Sequence, residues 1–265
     1  MQERPERYST ETIGMINCLS FSLFCKRLIS LAVCLALAAG AAAPAPSATQ
    51  LPEADDGTYR YLAIGNSIVR HPECEYWWND AGMAASDAEH DYFHIVTEYL
   101  KEQHPSVEAA AVGFVEWEIA SAGDRSVYSL IDQYLTKDLN LITVQLSENV
   151  SQTRGLGKRL AELVRYIQKR CPKAELILVD DFWDDAKSEI KKKAARTLGI
   201  PFANLSAIRG REEYMRYVGD WVTGSDGQPH FIEREDVARH PNDKGMQAIA
   251  QAIISQMRKG PRLPD

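Results

Sequence analysis

The chain has little cysteine and no excess of basic charge. Five of its 265 residues are cysteines, and only Cys74 and Cys171 follow residue 48. Two cysteines do not make the disulfide framework of a small secreted scaffold, although these two could pair in an oxidising compartment. Acidic residues outnumber basic ones by 37 to 30, giving a net charge of −7. This balance argues against nucleic acid and anionic membrane surfaces as partners.

Long hydrophobic runs are also scarce, and the clearest lies near the start of the chain. Lys26 and Arg27 precede an apolar run over residues 28–43, which small residues and prolines follow. This order is typical of a secretory signal, and the run is short for a membrane span, with an uncleaved anchor as the alternative. We expect a signal peptide and N-terminal extension over residues 1–48 and an exported domain, periplasmic or secreted, over residues 49–265. The 26 basic and 34 acidic residues after position 48 leave a net charge near −8, and no stable membrane insertion is expected.

The rest of the chain alternates short apolar runs with longer helical patterns. Such alternation predicts an α/β fold, with a mostly parallel sheet and helices on both of its faces. The predicted strands cover residues 59–64, 109–115, 139–146, 175–179 and, weakly, 201–204.

Three amphipathic helices are indicated between and after these strands. Ser86 and Glu89 have capping-box spacing at the start of the first. Asn242 or Asp243 caps the last. The middle helix carries an apolar stripe formed by Leu156, Leu160, Leu163, Val164 and Ile167. Residues 205–236 lack a clean period, which indicates a functional loop or a further helix.

Polar residues collect where the predicted strands end. Ser67 follows the first strand, Asn149 the third, and Asp180 and Asp181 the fourth, while His240 directly precedes the final helix. In open parallel sheets, ligands bind outside the carboxyl ends of the strands. We therefore expect a functional site at this edge.

These residues suit nucleophilic catalysis. A serine hydroxyl needs an imidazole to remove its proton, and the anionic intermediate needs positioned N–H donors. Ser67 and His240 could supply the first pair, and the Asn149 amide, the Ser67 backbone N–H and that of Gly123 could form the oxyanion hole. The Gly-x-Ser-x-Gly elbow of the α/β-hydrolases is absent, because Ile68 and Val69 follow the serine.

Three segments in this order resemble the blocks of the SGNH (GDSL-type) hydrolase superfamily. They are "AIGNSI", "VQLSENV" and "RHPNDKGMQAIAQAI". More narrowly, "GNSI", "GMAASDAEHDYFH", "SEN" and "HPNDKGM" are similar to a bacterial subgroup. The resemblance covers about residues 59–257. It implies a three-layer flavodoxin-like fold, Ser67 as nucleophile, His240 as general base, Ser67 N–H and Asn149 as oxyanion donors, and neither metal nor organic cofactor.

The chain departs from the family pattern at three positions. Asn66 replaces the usual Asp, and Ser147 replaces the usual Gly of the third block. The family's acid lies three residues before the histidine, where this chain has Val237, and Asp236 comes one residue earlier. Asp236 is the predicted acid. A backbone carbonyl, Asp180 or Asp181, or a Ser–His dyad without an acid are the alternatives.

Two other patterns have competing interpretations. Trp77 and Trp78 follow the serine segment and could form a substrate-binding platform for a sugar ring, or pack in the core or rim. His90 and His94 are four residues apart, as zinc ligands on a helix are, but no third ligand is evident, and we expect no metal site.

The combined patterns predict an exported serine esterase that hydrolyses a carboxylic ester of a small molecule or carbohydrate. A short acyl group on a carbohydrate is the favoured substrate. The alternatives are a catalytically inactive domain of the same fold that binds a glycan or a partner, and an acyltransferase that uses the same residues. The sequence does not indicate an oligomeric state.

Overall fold

The computed structural model describes residues 56–121 and 123–257. The predicted signal peptide and extension, residues 1–48, lie outside the described residues, so the signal and the export that it implies stay predictions. No helix in the described part of the chain is long and apolar enough to cross a membrane.

Five parallel strands form the central sheet. Their bounds are β1 (Tyr59–Gly65), β2 (Val107–Gly113), β3 (Leu141–Gln145), β4 (Glu175–Val179) and β5 (Phe202–Ala203). The spatial order is β2-β1-β3-β4-β5, and every neighbouring pair is parallel. This is the flavodoxin-like order of doubly wound sheets. The predicted parallel α/β fold is therefore confirmed.

In the described part of the chain, six α-helices accompany the sheet. They are α1 (Tyr92–Gln103), α2 (Val115–Ile119), α3 (Leu156–Arg170), α4 (Asp185–Leu198), α5 (Glu235–Ala238) and α6 (Asp243–Gln256). Alternate residues of β1 show how three layers arise, because side chains of a strand point to opposite faces. Leu62 and Ile64 belong to the core shared with α3 and α4. Tyr61 and Ala63 belong to the core shared with α1 and α6.

Helix α4 is absent from the sequence prediction. Its fully buried positions are Ser188, Lys191, Ala194 and Ala195, and its larger apolar side chains, Ile190 and Leu198, are only partly buried against the core, so the sequence shows no strong apolar stripe. Asp184 is the N-terminal cap of α4, because its carboxylate accepts from the N–H groups of Ala186 and Lys187. Ala194, Ala195 and Ile190 belong to the core that this helix shares with α3.

The predicted start of the first helix is wrong by several residues. A short 3-10 turn, Ala88–His90, lies where the capping box was expected. Asp91 is the cap of α1, because its carboxylate accepts the His94 N–H at 2.8 Å. The same carboxylate accepts the Gly82 N–H at 2.9 Å, which joins this helix to the segment after Ser67.

The irregular stretch over residues 205–236 contains short elements of its own. They are a 3-10 turn, Glu212–Tyr214, and an antiparallel hairpin of β6 (Trp221–Thr223) and β7 (Pro229–Phe231), before α5 begins. The stretch contacts the final segment, since Arg216 donates its N–H to the His240 carbonyl at 3.1 Å. Cys74 and Cys171 are both free thiols, and Cys171 is buried, so the pairing considered above is not formed.

Candidate active site

Ser67 and His240 meet at the carboxyl edge of the sheet. Ser67 lies in the turn after β1, and His240 lies between α5 and α6. The Ser67 Oγ and His240 Nε2 atoms are 2.7 Å apart, within hydrogen-bond distance although 173 residues separate the two along the chain. The structure thus places together the two residues that sequence reasoning selected for proton transfer.

The turn that carries Ser67 is held by its neighbours Gly65 and Asn66. A Cβ on Gly65 would come within 2.1 Å of a Val69 side-chain atom and 2.6 Å of the Gln145 carbonyl oxygen, so only glycine fits there. The Asn66 carbonyl accepts the N–H groups of Val69 and Arg70. The Asn66 side-chain oxygen accepts the Ile68 N–H at 3.0 Å. This local bonding fixes the serine at the end of the strand.

A backbone carbonyl orients the imidazole. The His240 Nδ1 atom lies 2.8 Å from the carbonyl oxygen of Asp236. A carbonyl oxygen only accepts, so Nδ1 carries the proton and Nε2 is left to accept from the serine hydroxyl. The tautomer required of a general base is therefore set without a carboxylate.

The Asp236 carboxylate, predicted as the triad acid, points elsewhere. It forms a two-point ion pair with Arg234, at 2.9 and 2.5 Å, and Arg234 also lies over the Tyr76 ring at 4.0 Å. Asp236 thus contacts His240 through its backbone and not its side chain. The prediction is corrected in that respect.

Other candidates for the acid are occupied as well. The usual position of the acid holds Val237, which is buried with Trp77 and Ile232 in an apolar cluster. Asp180 pairs with Arg209 and accepts the Leu205 N–H at 3.0 Å. Asp181 accepts from the Ser147 hydroxyl at 2.8 Å. Among the alternatives drawn from the sequence, the geometry favours a backbone carbonyl behind the histidine.

Burial keeps His240 neutral. The residue is 8% exposed, and Trp183 packs its ring edge-on against the imidazole at 5.2 Å between centroids. Loss of hydration is the main cause that lowers the pKa of His240; the Asp236 carbonyl opposes it, the nearby His71 adds to it, and the resulting pKa is about 4. The imidazole is therefore free to accept a proton at neutral pH.

Two residues of the predicted oxyanion hole each have an N–H group without an acceptor among the described residues. Within the described residues the Ser67 backbone N–H has no acceptor. The Asn149 side-chain amide gives one N–H to Glu118 Oε2 at 2.6 Å, which leaves its second N–H available. Gly123 lies in an exposed turn with φ +95°, and its part in the oxyanion hole stays a prediction.

Glu118 is the main site residue that sequence reasoning missed. It lies in α2 and is 3% exposed. It accepts from the Asn66 side chain, from the Ser147 N–H at 2.6 Å, and from the backbone N–H and one side-chain N–H of Asn149. Burial raises the pKa of Glu118, and these donors oppose the rise. Its position shortly after β2, at the same edge as Asn149, is the signal that could have found it.

Asn66 lies between two buried carboxyl groups. Its side-chain Nδ2 donates to Glu118 at 3.2 Å and to Glu148 at 2.7 Å. Burial raises the pKa of Glu148 to about 8, although Lys191, 3.9 Å away, opposes the rise. An Asp at position 66 would place a third carboxyl group in this cluster and remove the N–H donor that Glu118 and Glu148 both accept.

Ser147 retains the backbone geometry that favours glycine. Its φ is +130°, a region that side chains with a Cβ rarely adopt. The N–H bond to Glu118 and the hydroxyl bond to Asp181 hold it there. The substitution of Ser for Gly in the third block therefore leaves the turn in place before Asn149.

The predicted sugar platform is contradicted for Trp77. Its side chain is 1% exposed and packs in the apolar cluster that also contains Val237, so it is a core residue. Trp78 is half-buried, and one face of its ring stacks on His230, with centroids 4.6 Å apart and planes 7° apart. Only Trp78 remains a candidate for contact with substrate.

The histidines with zinc-like spacing are each engaged by a neighbouring acid. His90 Nδ1 lies 2.6 Å from Asp87, and His94 Nδ1 lies 2.8 Å from Asp91. Within the described residues, no group of three or more metal-ligating side chains is gathered.

The fold and the site define an α/β protein with a serine–histidine pair at the carboxyl edge of a flavodoxin-like sheet. A scan against protein-family models and a search of curated proteins found no match. Among solved structures, the chain is similar to a two-domain esterase active on acetylated mannans and co-crystallised with mannopentaose. The identity is 17% and the TM-score 0.48, over 75% of this chain and 48% of that one, so this chain spans about half of that esterase.

Two further solved structures have comparable similarity. A phospholipase A1 from Streptomyces albidoflavus matches at 13% identity and a TM-score of 0.47, over 75% of this chain and 99% of that one. An acetyl xylan esterase from Geobacillus stearothermophilus matches at 14% identity and a TM-score of 0.48, over 75% and 94%. Because these similarities are distant, the function is inferred from the residues of the site itself.

Proposed function

We propose that this chain is a serine esterase of the SGNH type that hydrolyses carboxylic esters, with Ser67 as nucleophile and His240 as general base. The observation that carries the proposal is the 2.7 Å contact between Ser67 Oγ and His240 Nε2. The bond from Nδ1 to the Asp236 carbonyl, at 2.8 Å, gives the imidazole the tautomer that this role needs. The three family-like sequence blocks, in order, support the same function.

Acylation begins when Ser67 Oγ attacks the carbonyl carbon of the ester. His240 Nε2 takes the hydroxyl proton as the new C–O bond forms, and the carbonyl oxygen becomes an oxyanion. The Ser67 backbone N–H and the free N–H of Asn149 donate to that oxygen. The imidazolium then gives its proton to the leaving alcohol, and an acyl-serine remains.

Deacylation repeats the sequence with water. His240 removes a proton from water, which attacks the acyl carbon and forms a second oxyanion at the same donors. Collapse of this intermediate releases the carboxylic acid and returns the proton to Ser67. An alcohol in place of water would give acyl transfer, so the same residues serve either outcome.

We further propose that the substrate carries a short acyl group on a carbohydrate. Trp78 is the observation that favours a carbohydrate as the alcohol of the ester, because its half-buried ring lies in the segment beside the turn that carries Ser67. Met83, in the same segment, donates its N–H to the Ser67 carbonyl at 2.8 Å. An aromatic ring held by stacking on His230 suits the apolar face of a sugar.

Reaction with a fluorophosphonate probe tests the nucleophile. We expect one equivalent of probe on the peptide that contains Ser67, found by mass spectrometry, and no labelling of Ser67→Ala. Labelling that is absent, or unchanged in Ser67→Ala, would favour an inactive binding domain.

Product analysis tests the finer claims. With acetylated oligosaccharide and added acceptor alcohol, hydrolysis gives acetate, whereas acyl transfer gives the acceptor's ester. Faster cleavage of acetylated sugar than of a long-chain acyl ester is the expected result. The reverse preference would contradict the carbohydrate substrate and leave the serine mechanism intact.

A further inference from the structure

Glu118 lies in α2 and makes no described hydrogen bond to Ser67 or His240, but both of its carboxylate oxygens accept from residues beside them. Its Oε2 atom accepts from the Asn149 side-chain amide at 2.6 Å. Its Oε1 atom accepts from the Ser147 N–H at 2.6 Å and the Asn149 N–H at 3.3 Å. One carboxylate therefore fixes both the backbone and the side chain of Asn149.

We infer that Glu118 is a positioning residue that decides which end of the Asn149 amide faces the oxyanion. The inference rests on the proposed function, because it takes Asn149 as an oxyanion donor. A side-chain amide has nearly the same shape after a 180° rotation, so packing alone does not choose between its oxygen and its NH₂ group. An ionised carboxylate only accepts, and Glu118 therefore selects the NH₂ end.

The surroundings of Glu118 support the acceptor role. All of its described partners are N–H donors, including the Asn66 side chain at 3.2 Å, and the carboxylate is 3% exposed. Because little water reaches this carboxylate, water does not replace these hydrogen bonds, and the orientation of Asn149 depends on its protein partners. Rotation of the amide would turn its carbonyl dipole toward the oxyanion, which destabilises the intermediate that Asn149 otherwise stabilises.

Glu118→Gln tests this selection with a single-atom change. The Gln oxygen can keep the place of Oε1, with its backbone donors, but the Gln NH₂ group then faces the Asn149 NH₂ group. We expect Asn149 to rotate, and kcat for p-nitrophenyl acetate to fall about 100-fold, the loss typical of one oxyanion donor. KM should change by less than about threefold, because the interaction is made in the transition state.

Two comparisons separate positioning from a general loss of structure. Glu116→Gln makes the same chemical change on the exposed face of α2 and should leave kcat unchanged. In an Asn149→Ala background, Glu118→Gln should cost less than about twofold more, since both changes remove the same donor. Equal kcat in Glu118→Gln and the wild type, or losses that multiply in the double variant, would overturn the inference.

A measurement on the Asn149 amide itself does not depend on turnover. Its side-chain N–H resonances are assigned by their loss in Asn149→Ala. We expect one slowly exchanging, downfield proton in the wild type and in Glu116→Gln, and its displacement in Glu118→Gln. If Glu118→Gln does not fold, the wild-type spectrum decides, because exchange as fast as that of exposed Asn204 would contradict the Glu118 contact.

The two failures are distinguishable. A wild type without ester turnover would contradict the proposed function, and the amide spectrum would still decide whether Glu118 holds Asn149. A wild type whose turnover depends on Ser67 but not on Glu118 would overturn the positioning role alone.

Discussion

The carbonyl oxygen of Asp236 accepts the Nδ1 proton of His240 at 2.8 Å, while the carboxylate of the same residue pairs with Arg234. A carbonyl sets the tautomer as a carboxylate does, but it brings no full negative charge to the imidazolium that forms during catalysis. The account is therefore one of a serine–histidine dyad whose histidine is oriented by the backbone.

Asp236→Asn should leave catalysis nearly intact. The substitution keeps the backbone carbonyl and removes only the exposed ion pair with Arg234, which is worth at most about 1 kcal/mol of stability. We expect kcat/KM for p-nitrophenyl acetate within about threefold of the wild type. Loss of a true triad acid costs about 10⁴-fold, so a fall of that size would show that the carboxylate turns to His240 during the reaction.

The pH dependence of kcat/KM should report the low pKa of His240. Burial lowers this pKa to about 4, so the imidazole stays neutral as the pH falls from 8 to 5, and activity is lost only near pH 4. A steady-state pH profile measures this limb. A limb between pH 6 and 7 would contradict a buried, neutral histidine.

The same shift has a consequence for stability. The unfolded chain binds a proton at His240 below the ordinary pKa of 6.5, and the folded chain binds it only below about 4. Stability is thus lost as the pH falls from 6.5 to 4, by about 3 kcal/mol at most from this group. Urea unfolding at pH 7 and pH 4.5 should show a smaller loss in His240→Gln than in the wild type. An equal loss in both would contradict the shift.

Asn66→Asp should destabilise the protein, although Asp is the usual residue in the SGNH pattern that this segment resembles. The introduced carboxyl group would face Glu118 and Glu148 in place of an N–H donor. A buried charge without a partner costs about 3–5 kcal/mol. Its native pKa would be raised, so the deficit should grow as the pH rises above about 4, the ordinary pKa of Asp.

Urea unfolding of Asn66→Asp across this pH range measures the deficit. Asn204→Asp provides a matched control, because Asn204 is exposed and its side-chain oxygen accepts the Ser206 N–H, a bond that a carboxylate also makes. That variant should stay within about 0.5 kcal/mol of the wild type. An Asn66→Asp protein as stable as the wild type at pH 7 would refute the account of Asn66.

The positions of Ser67, Asn149 and His240 could be predicted because strand ends of a parallel sheet converge on one edge. Which Asp236 oxygen accepts from His240 could not be predicted from the sequence. Asp236 has both a side-chain carboxylate and a backbone carbonyl, and the backbone conformation of α5 decides which of them lies at the imidazole. The sequence could not decide whether Trp77 is a core residue or part of a sugar-binding platform, because an aromatic residue after a strand suits either role. Glu118 was missed because an isolated acid on a five-residue helix shows no periodic pattern, and its position shortly after β2 is the one signal that marks it.

The central claim is that Ser67 and His240 form the reacting pair, and ester turnover by their variants tests it most directly. Initial rates of p-nitrophenyl acetate hydrolysis would be compared for the wild type, Ser67→Ala and His240→Ala, with Ser255→Ala, on the exposed side of α6, as the control. The account predicts at least about a 10³-fold loss in the first two variants and none in the control. Turnover that survives either Ser67→Ala or His240→Ala would contradict it.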